Sequence, residues 1–190
     1  LKGISTWSSH DHLVRDSGIT MLLTLDRLAP AIAPMQSGTN LETIVITALS
    51  EYSPEAKPPA AMAQTLRLSD LVSNSTVIDL PRVEIDPEED VAVLQYTGGT
   101  TGVPKAAMLT HRNIFANTIQ TELWHHRSTE RGRDRFLMVI PYFHIYGLTV
   151  GMMRGLWQGA RQILIPKYDV EAVLAALRDY QPTYFPAVPT

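Results

Sequence analysis

The chain has 190 residues, 45% of them apolar and 18% charged, with a formal net charge of −3. This composition excludes global disorder and suffices for a substantial core in one ordinary domain or two small ones. The absence of cysteine excludes a disulfide scaffold, a thiolate metal site and a cysteine nucleophile, and suits a cytoplasmic protein. Without a basic excess or a long Lys/Arg run, nucleic acid is not an expected partner.

The chain opens on Leu1 with no signal peptide and stops just after PTYFPAVPT, so it reads as a piece of a longer protein. Residues 19–25, ITMLLTL, follow the turn DSG and predict a buried strand; TIVIT at 43–47 predicts a second. Between them Pro30 and Pro34 limit DRLAPAIAPMQSGTN to a short helix. SPEAKPP is a loop, LRLSDLVSN predicts a turn or two of helix capped by Ser69, and DLPRVEIDPEED is an acidic connector whose PEED is an exposed turn.

From there the pattern becomes regular. VAVLQY (91–96) predicts a buried strand, followed by a glycine-rich loop over 97–105 that reaches a helix after a short bridge. That helix lies in LTHRNIFANTIQTELWHH, with Thr110 as its cap and Ile114, Ile119 and Leu123 as its apolar positions. RFLMVIP (135–141) is the next strand, GLTVGMMRGLWQG a helix and RQILIP (161–166) a strand. DVEAVLAALRDY is an amphipathic helix capped by Asp169, and TYFPAVP (183–189) predicts the closing strand. Strands alternating with helices give the α/β class with a largely parallel sheet and binding sites at the carboxyl ends of strands.

The loop YTGGTTGVPK is where the chemistry concentrates. Gly98, Gly99 and Gly102 let the backbone turn tightly and present its N–H groups to an oxyanion, Thr97, Thr100 and Thr101 add hydroxyls, and Lys105 adds a point charge behind the stiff Pro104. These are the parts of a polyphosphate cradle. The Walker A spacing is not met, because Gly102 and Lys105 are separated by two residues, so a standard P-loop NTPase is excluded.

YTGGTTGVPKAAMLTHRN resembles the phosphate-binding signature of the adenylate-forming superfamily, and its Gly-Gly pair with LTHRN is most similar to bacterial long-chain fatty-acyl-CoA ligases. IPYFHIYGL (140–148) resembles the motif beside that family's acyl and nucleotide pocket, with His144 in the place of its aromatic or histidine; VRDSGITMLLT and PTYFPAVPT match more weakly. One departure is Ala106, where the family usually has glycine, a change expected to be tolerated at negative φ.

The resemblance implies a three-layer αβα fragment of the large N-terminal domain, with 1–86 its strand/helix portion with linker and 87–190 its βαβ portion. It also implies adenylation of a fatty acid by Mg-ATP, with Mg2+ as cofactor, followed by transfer to coenzyme A. Thr97, Gly98, Gly99, Thr100, Thr101, Gly102 and Lys105 would then hold the β- and γ-phosphates, Lys105 would neutralise pyrophosphate, Thr97 would reach Mg2+, and His144 would position the carboxylate. The adenine motif, the ribose aspartate and the C-terminal lysine of the family are absent from 1–190, so the chain alone is expected to be inactive. Two other readings stay open: a non-catalytic phosphate-binding or scaffold domain, and an adenylation domain loading a carrier protein.

His111 reads as structural, and His125 and His126 with Arg127 as a solvated face. Gly147, Gly151, Gly155 and Gly159 recur every four residues in a stretch too short for a bilayer and broken by Arg154; they predict close packing of a soluble helix on a sheet, or an open acyl tunnel. Met152, Met153, Leu156 and Trp157 are expected in the core. No transmembrane segment is expected, peripheral membrane contact is compatible with the sequence, and open sheet edges make a homodimer a reasonable side expectation.

Overall fold

A computed structural model of the chain describes residues 7–51, 59, 62–74, 79, 81–97 and 104–188; positions 98–103 of the glycine loop and 53–58 of the SPEAKPP loop lie outside the described residues. The chain divides into two units, Leu1–Glu84 with Tyr96–Ala106 and Ile85–Gln95 with Ala107–Thr190.

In the first unit α1 (Trp7–Ser17) leads into β1 (Met21–Leu25), α2 (Ala29–Ile32) with a 3-10 turn over Ala33–Gln36, β2 (Thr43–Thr47), β3 (Thr65–Arg67) and α3 (Leu68–Ser73). The strands lie in the order β1-β2-β3, all parallel. Because strand side chains alternate, Leu22, Ile44 and Ile46 turn to one face and meet Val14, Ala29, Ile32, Met35 and Leu41. Burial of Ile44 and Ile46 contributes about 1.5–3 kcal/mol each. The opposite face aligns Leu23, Val45 and Leu66 and leaves the two leucines exposed, so the strand predicted as buried at 19–25 is covered on one face only. Ser69 is not a helix cap: Arg67 stands at the N-cap of α3 without a side-chain bond. Ser69 instead faces Glu51, and with Thr47 it holds that carboxyl below its ordinary range.

β4 (Val91–Thr97) and β5 (Lys105–Thr110) are neighbours in a two-stranded sheet. A parallel crossover needs a dozen or more residues, so the connection over 98–104 makes this pair a hairpin. This corrects the sequence reading twice. The residues after the loop are a strand rather than a bridge into a helix, and β4 is exposed or half-buried along its length rather than buried.

The second unit continues with α4 (His111–His125), β6 (Arg135–Met138), a π-helix (Gly147–Met153), α5 (Arg154–Gln158), β7 (Arg161–Leu164) and α6 (Val170–Tyr180). Thr110 caps α4 as predicted: its hydroxyl accepts from Asn113 N–H while the Asn113 side chain accepts from Thr110 N–H. Asp169 caps α6 by accepting from Ala172 N–H at 2.8 Å. β6 pairs in parallel with β7, and Phe136 bridges Tyr184 on its other side. The strand predicted over 183–189 reduces to that bridge, because Pro182 and Pro186 offer no N–H to a ladder.

Leu137 meets Val173 and Ala176 of α6. On the other face Met138 and Phe136 underlie Gly151 and Gly155, which gives helix, sheet and helix in three layers. The first three glycines of the repeat serve this close approach, whereas Gly159 takes the left-handed C-cap of α5. A Cβ on Gly147 would lie 2.2 Å from the Pro141 carbonyl oxygen, one on Gly151 2.1 Å from Met138 Cε, and one on Gly155 1.8 Å from Gln162 Nε2, so no acyl tunnel opens at these positions. The expected core residues are partly inverted: Leu156 and Trp157 are exposed, whereas Arg154 and Gln158 are buried. The Arg154 guanidinium lies 4.5 Å from the Tyr184 ring centroid and pairs with Glu122 at 3.3 Å, and Gln158 donates to the same carboxylate. His125 is half-buried, with its ring edge-on to Tyr184 at 5.3 Å, which corrects the solvated-face reading for that residue.

Candidate functional site

Two groups of predicted site residues are described, one in each unit. In the first unit, Thr97 ends β4 and Lys105 begins β5, so the hairpin brings both to the mouth of the glycine loop. The Thr97 hydroxyl donates to the Lys105 carbonyl at 3.4 Å, and both residues are exposed. A hydroxyl that donates here keeps its oxygen lone pairs for a cation, and an exposed ammonium suits an anion arriving from solvent. Gly98, Gly99, Thr100, Thr101 and Gly102 lie outside the described residues. Ala106 sits in extended β5 and is not among the residues with positive φ, so its methyl group is accommodated as expected.

The flanks of the loop are tied to α1. Tyr96 donates its hydroxyl to Asp16 at 2.6 Å, and His12 Nε2 donates to the Pro104 carbonyl at 3.1 Å. Burial first, and then the bond to the Asp16 carboxylate, pushes the Tyr96 hydroxyl up to about 12. Sequence reasoning missed these partners, because nothing local marks a helix residue that bonds 80 or 92 positions away.

In the second unit His144 stands exposed in a turn before the π-helix, its N–H bonded to Pro141 O at 3.0 Å and its carbonyl accepting from Leu148 N–H at 2.8 Å. Its Nδ1 accepts from Tyr146 N–H at 3.2 Å, which leaves the ring proton on Nε2. That arrangement presents a donor, not a base, to an approaching ligand. Gln95 of β4 donates to the carbonyl of Phe143 at 3.1 Å, and burial raises the Tyr142 hydroxyl, which donates to Gln162. The segment around His144 is therefore fastened to strands on both sides.

Next to it α4 and the π-helix enclose a cleft of about 400 Å³. Leu109, Ile114, Ile145 and Val150 form its apolar walls, and Asn113, Asn117, Tyr146 and Thr149 add polar groups. Asn113, Thr149 and Tyr146 spend hydrogen bonds on Thr110 N–H, Ile145 O and the Tyr184 side chain, so Asn117 is the wall group best placed to fix a ligand. Among the described residues no helix is long and apolar enough to cross a membrane, and no group of three or more His, Asp or Glu side chains is placed to hold a metal.

Residues 6–190 match the family described as AMP-binding enzyme. The chain is 36% identical over 196 residues to a long-chain-fatty-acid–CoA ligase of Bacillus subtilis (strain 168), which covers 95% of this chain and 34% of that protein. It is 32% identical over 179 residues to 4-coumarate–CoA ligase 1 of Arabidopsis thaliana, covering 91% of this chain and 30% of that one. The crystal structure of a long-chain-fatty-acid-CoA ligase from Archaeoglobus fulgidus matches with a TM-score of 0.75 and 25% identity, over 100% of this chain and 34% of that one. The chain thus spans about a third of the length of the curated relatives it matches.

Proposed function

The chain belongs to the family of AMP-binding enzymes, and from that premise we propose that it forms part of an ATP-dependent ligase that joins long-chain fatty acids to coenzyme A. In the first half-reaction a carboxylate oxygen forms a bond to the α-phosphorus of ATP as the bond to pyrophosphate breaks. In the second, a thiol sulfur bonds to the acyl carbon, AMP leaves and the thiol proton is released. Both steps depend on positioning and on neutralising charge.

In this reading Thr97, Gly98, Gly99, Thr100, Thr101 and Gly102 cradle the β- and γ-phosphates, and Lys105 balances charge on the departing pyrophosphate. Thr97 would be the protein ligand to Mg2+, which would supply charge neutralisation at the phosphates; its one neutral hydroxyl suits an ion that takes few protein ligands. His144 offers its Nε2–H to the carboxylate, and the cleft beside it takes part of the acyl chain. The observation that carries the proposal is the hairpin, which sets the Thr97 hydroxyl and Lys105 together at one end of the loop. The fatty-acid assignment rests on the Bacillus relative; the 4-coumarate ligase marks an aryl acid as its rival. Ala106 lies in the extended backbone of β5, so its methyl group does not by itself favour a non-catalytic scaffold.

Calorimetric titration with Mg-ATP and with pyrophosphate tests the cradle. Lys105→Ala is expected to weaken both at least tenfold, about 1.4 kcal/mol, without changing the fold. Equal affinities for the two folded proteins would remove the phosphate-loop assignment. The full-length protein, assayed with palmitate and with 4-coumarate, decides the acid.

A further inference from the structure

We propose that α1 is a clamp on the phosphate loop, with His12 and Asp16 as positioning residues that fix the two ends of the loop mouth and hence the places of Thr97 and Lys105. The inference rests on the phosphate-binding reading of the loop and adds to it the part that fixes its two ends.

The geometry has three elements. His12 and Asp16 are four residues apart and share one face of α1, about one helical turn from each other. Their partners are Pro104 and Tyr96, the residues immediately before Lys105 and Thr97. A single helix therefore holds the chain on both sides of the loop, through the Tyr96 hydroxyl and the Pro104 carbonyl. The Thr97 hydroxyl bond to the Lys105 carbonyl ties the same two strands to each other.

The clamp has a foundation of its own. Val14, between the two gripping residues, is buried in the core of the three-stranded sheet. Arg15 pairs with Asp11 at 2.8 Å and donates to the Gly38 carbonyl at 2.9 Å, which fixes the rotation of α1 about its axis. Tyr96 is half-buried and its hydroxyl is held protonated, by burial and by the Asp16 carboxylate, far above neutral pH. The donor of this bond is thus retained at neutral pH.

Steady-state kinetics of the full-length protein test the clamp. Tyr96→Phe removes one oxygen and Asp16→Ala its acceptor; each is expected to raise the KM for ATP about tenfold while the KM values for the fatty acid and CoA stay within about twofold. The double variant should be no worse than either single one, because both remove the same bond. Asp16→Asn, whose amide oxygen still accepts, and His12→Gln, whose amide N–H still donates, should recover most of the loss seen with Asp16→Ala and His12→Ala. If all three KM values shift together, if the Tyr96 and Asp16 effects add, or if the conservative variants are no better than alanine, the clamp is wrong. Lys105→Ala measured alongside separates the two ideas: a loss there without any change in the Tyr96 and His12 variants overturns the clamp alone, whereas no loss at Lys105 overturns the phosphate reading and the clamp with it. Should His12→Ala fail to fold, Tyr96→Phe against wild type still decides.

Discussion

Gly147 and Gly151 both sit where a methyl group has no room, yet they differ in what stands in the way. For Gly147 it is the backbone carbonyl of Pro141, for Gly151 the terminal methyl of Met138. A carbonyl cannot move without shifting the chain that holds the His144 turn, while a methionine end swings aside. Gly147→Ala is therefore expected to cost about 3 kcal/mol and Gly151→Ala about 1 kcal/mol or less, read from urea denaturation midpoints. Equal costs would mean that the close contact at Gly147 is not the constraint. Arg154 teaches the complementary lesson. Sequence reading used it as the charge that breaks an apolar run, whereas the structure buries it against Phe136 and Tyr184 with Glu122 as counter-ion. Its role was hidden because its partners come from α4 and from the bridge at Tyr184, which no local pattern links to it.

At the scale of elements, legibility followed the strength of the local signal. β2 matches TIVIT residue for residue, and α4 and α6 begin after the caps that Thr110 and Asp169 announce. Each of these has a period or a capping side chain written into consecutive residues. β5 has neither: KAAMLT mixes charge, small residues and one exposed methionine, and its pairing with β4 alone makes it a strand. The same holds for the π-helix, whose wider turn arises from packing and has no sequence period of its own. Of the site, the loop composition and His144 could be read directly, but the cleft and the α1 contacts required the fold. The reciprocal cap of α4 gives a measurable expectation: Thr110→Ala should lower stability by about 1 kcal/mol, and Thr110→Ser should lower it much less. A thermal melt that does not separate the two would show that the cap bond is not what holds the start of α4.

For the molecule as a whole, the sheet of the first unit sets the expectation. β1 is an edge strand among the described residues, and Met21 and Leu23 on it are exposed, as is Leu66 on β3. Such an edge is a template for another copy of the chain, and self-association through it is our proposal alone. Light scattering of the chain across a wide concentration range should show a rise in mass that Leu23→Lys suppresses; a constant monomer mass would remove it.

The path of the chain adds a consequence for the order of assembly. The bonds from Tyr96 to Asp16 and from Pro104 to His12 close spans of 80 and 92 residues, whereas β1 and β2 meet across about twenty. Loop closure costs entropy that grows with span, so nearby pairings form first. By that ordering α1 and the three-stranded sheet come together ahead of the two long closures, and the gripping face of α1 is already oriented when the last two strand ends reach it.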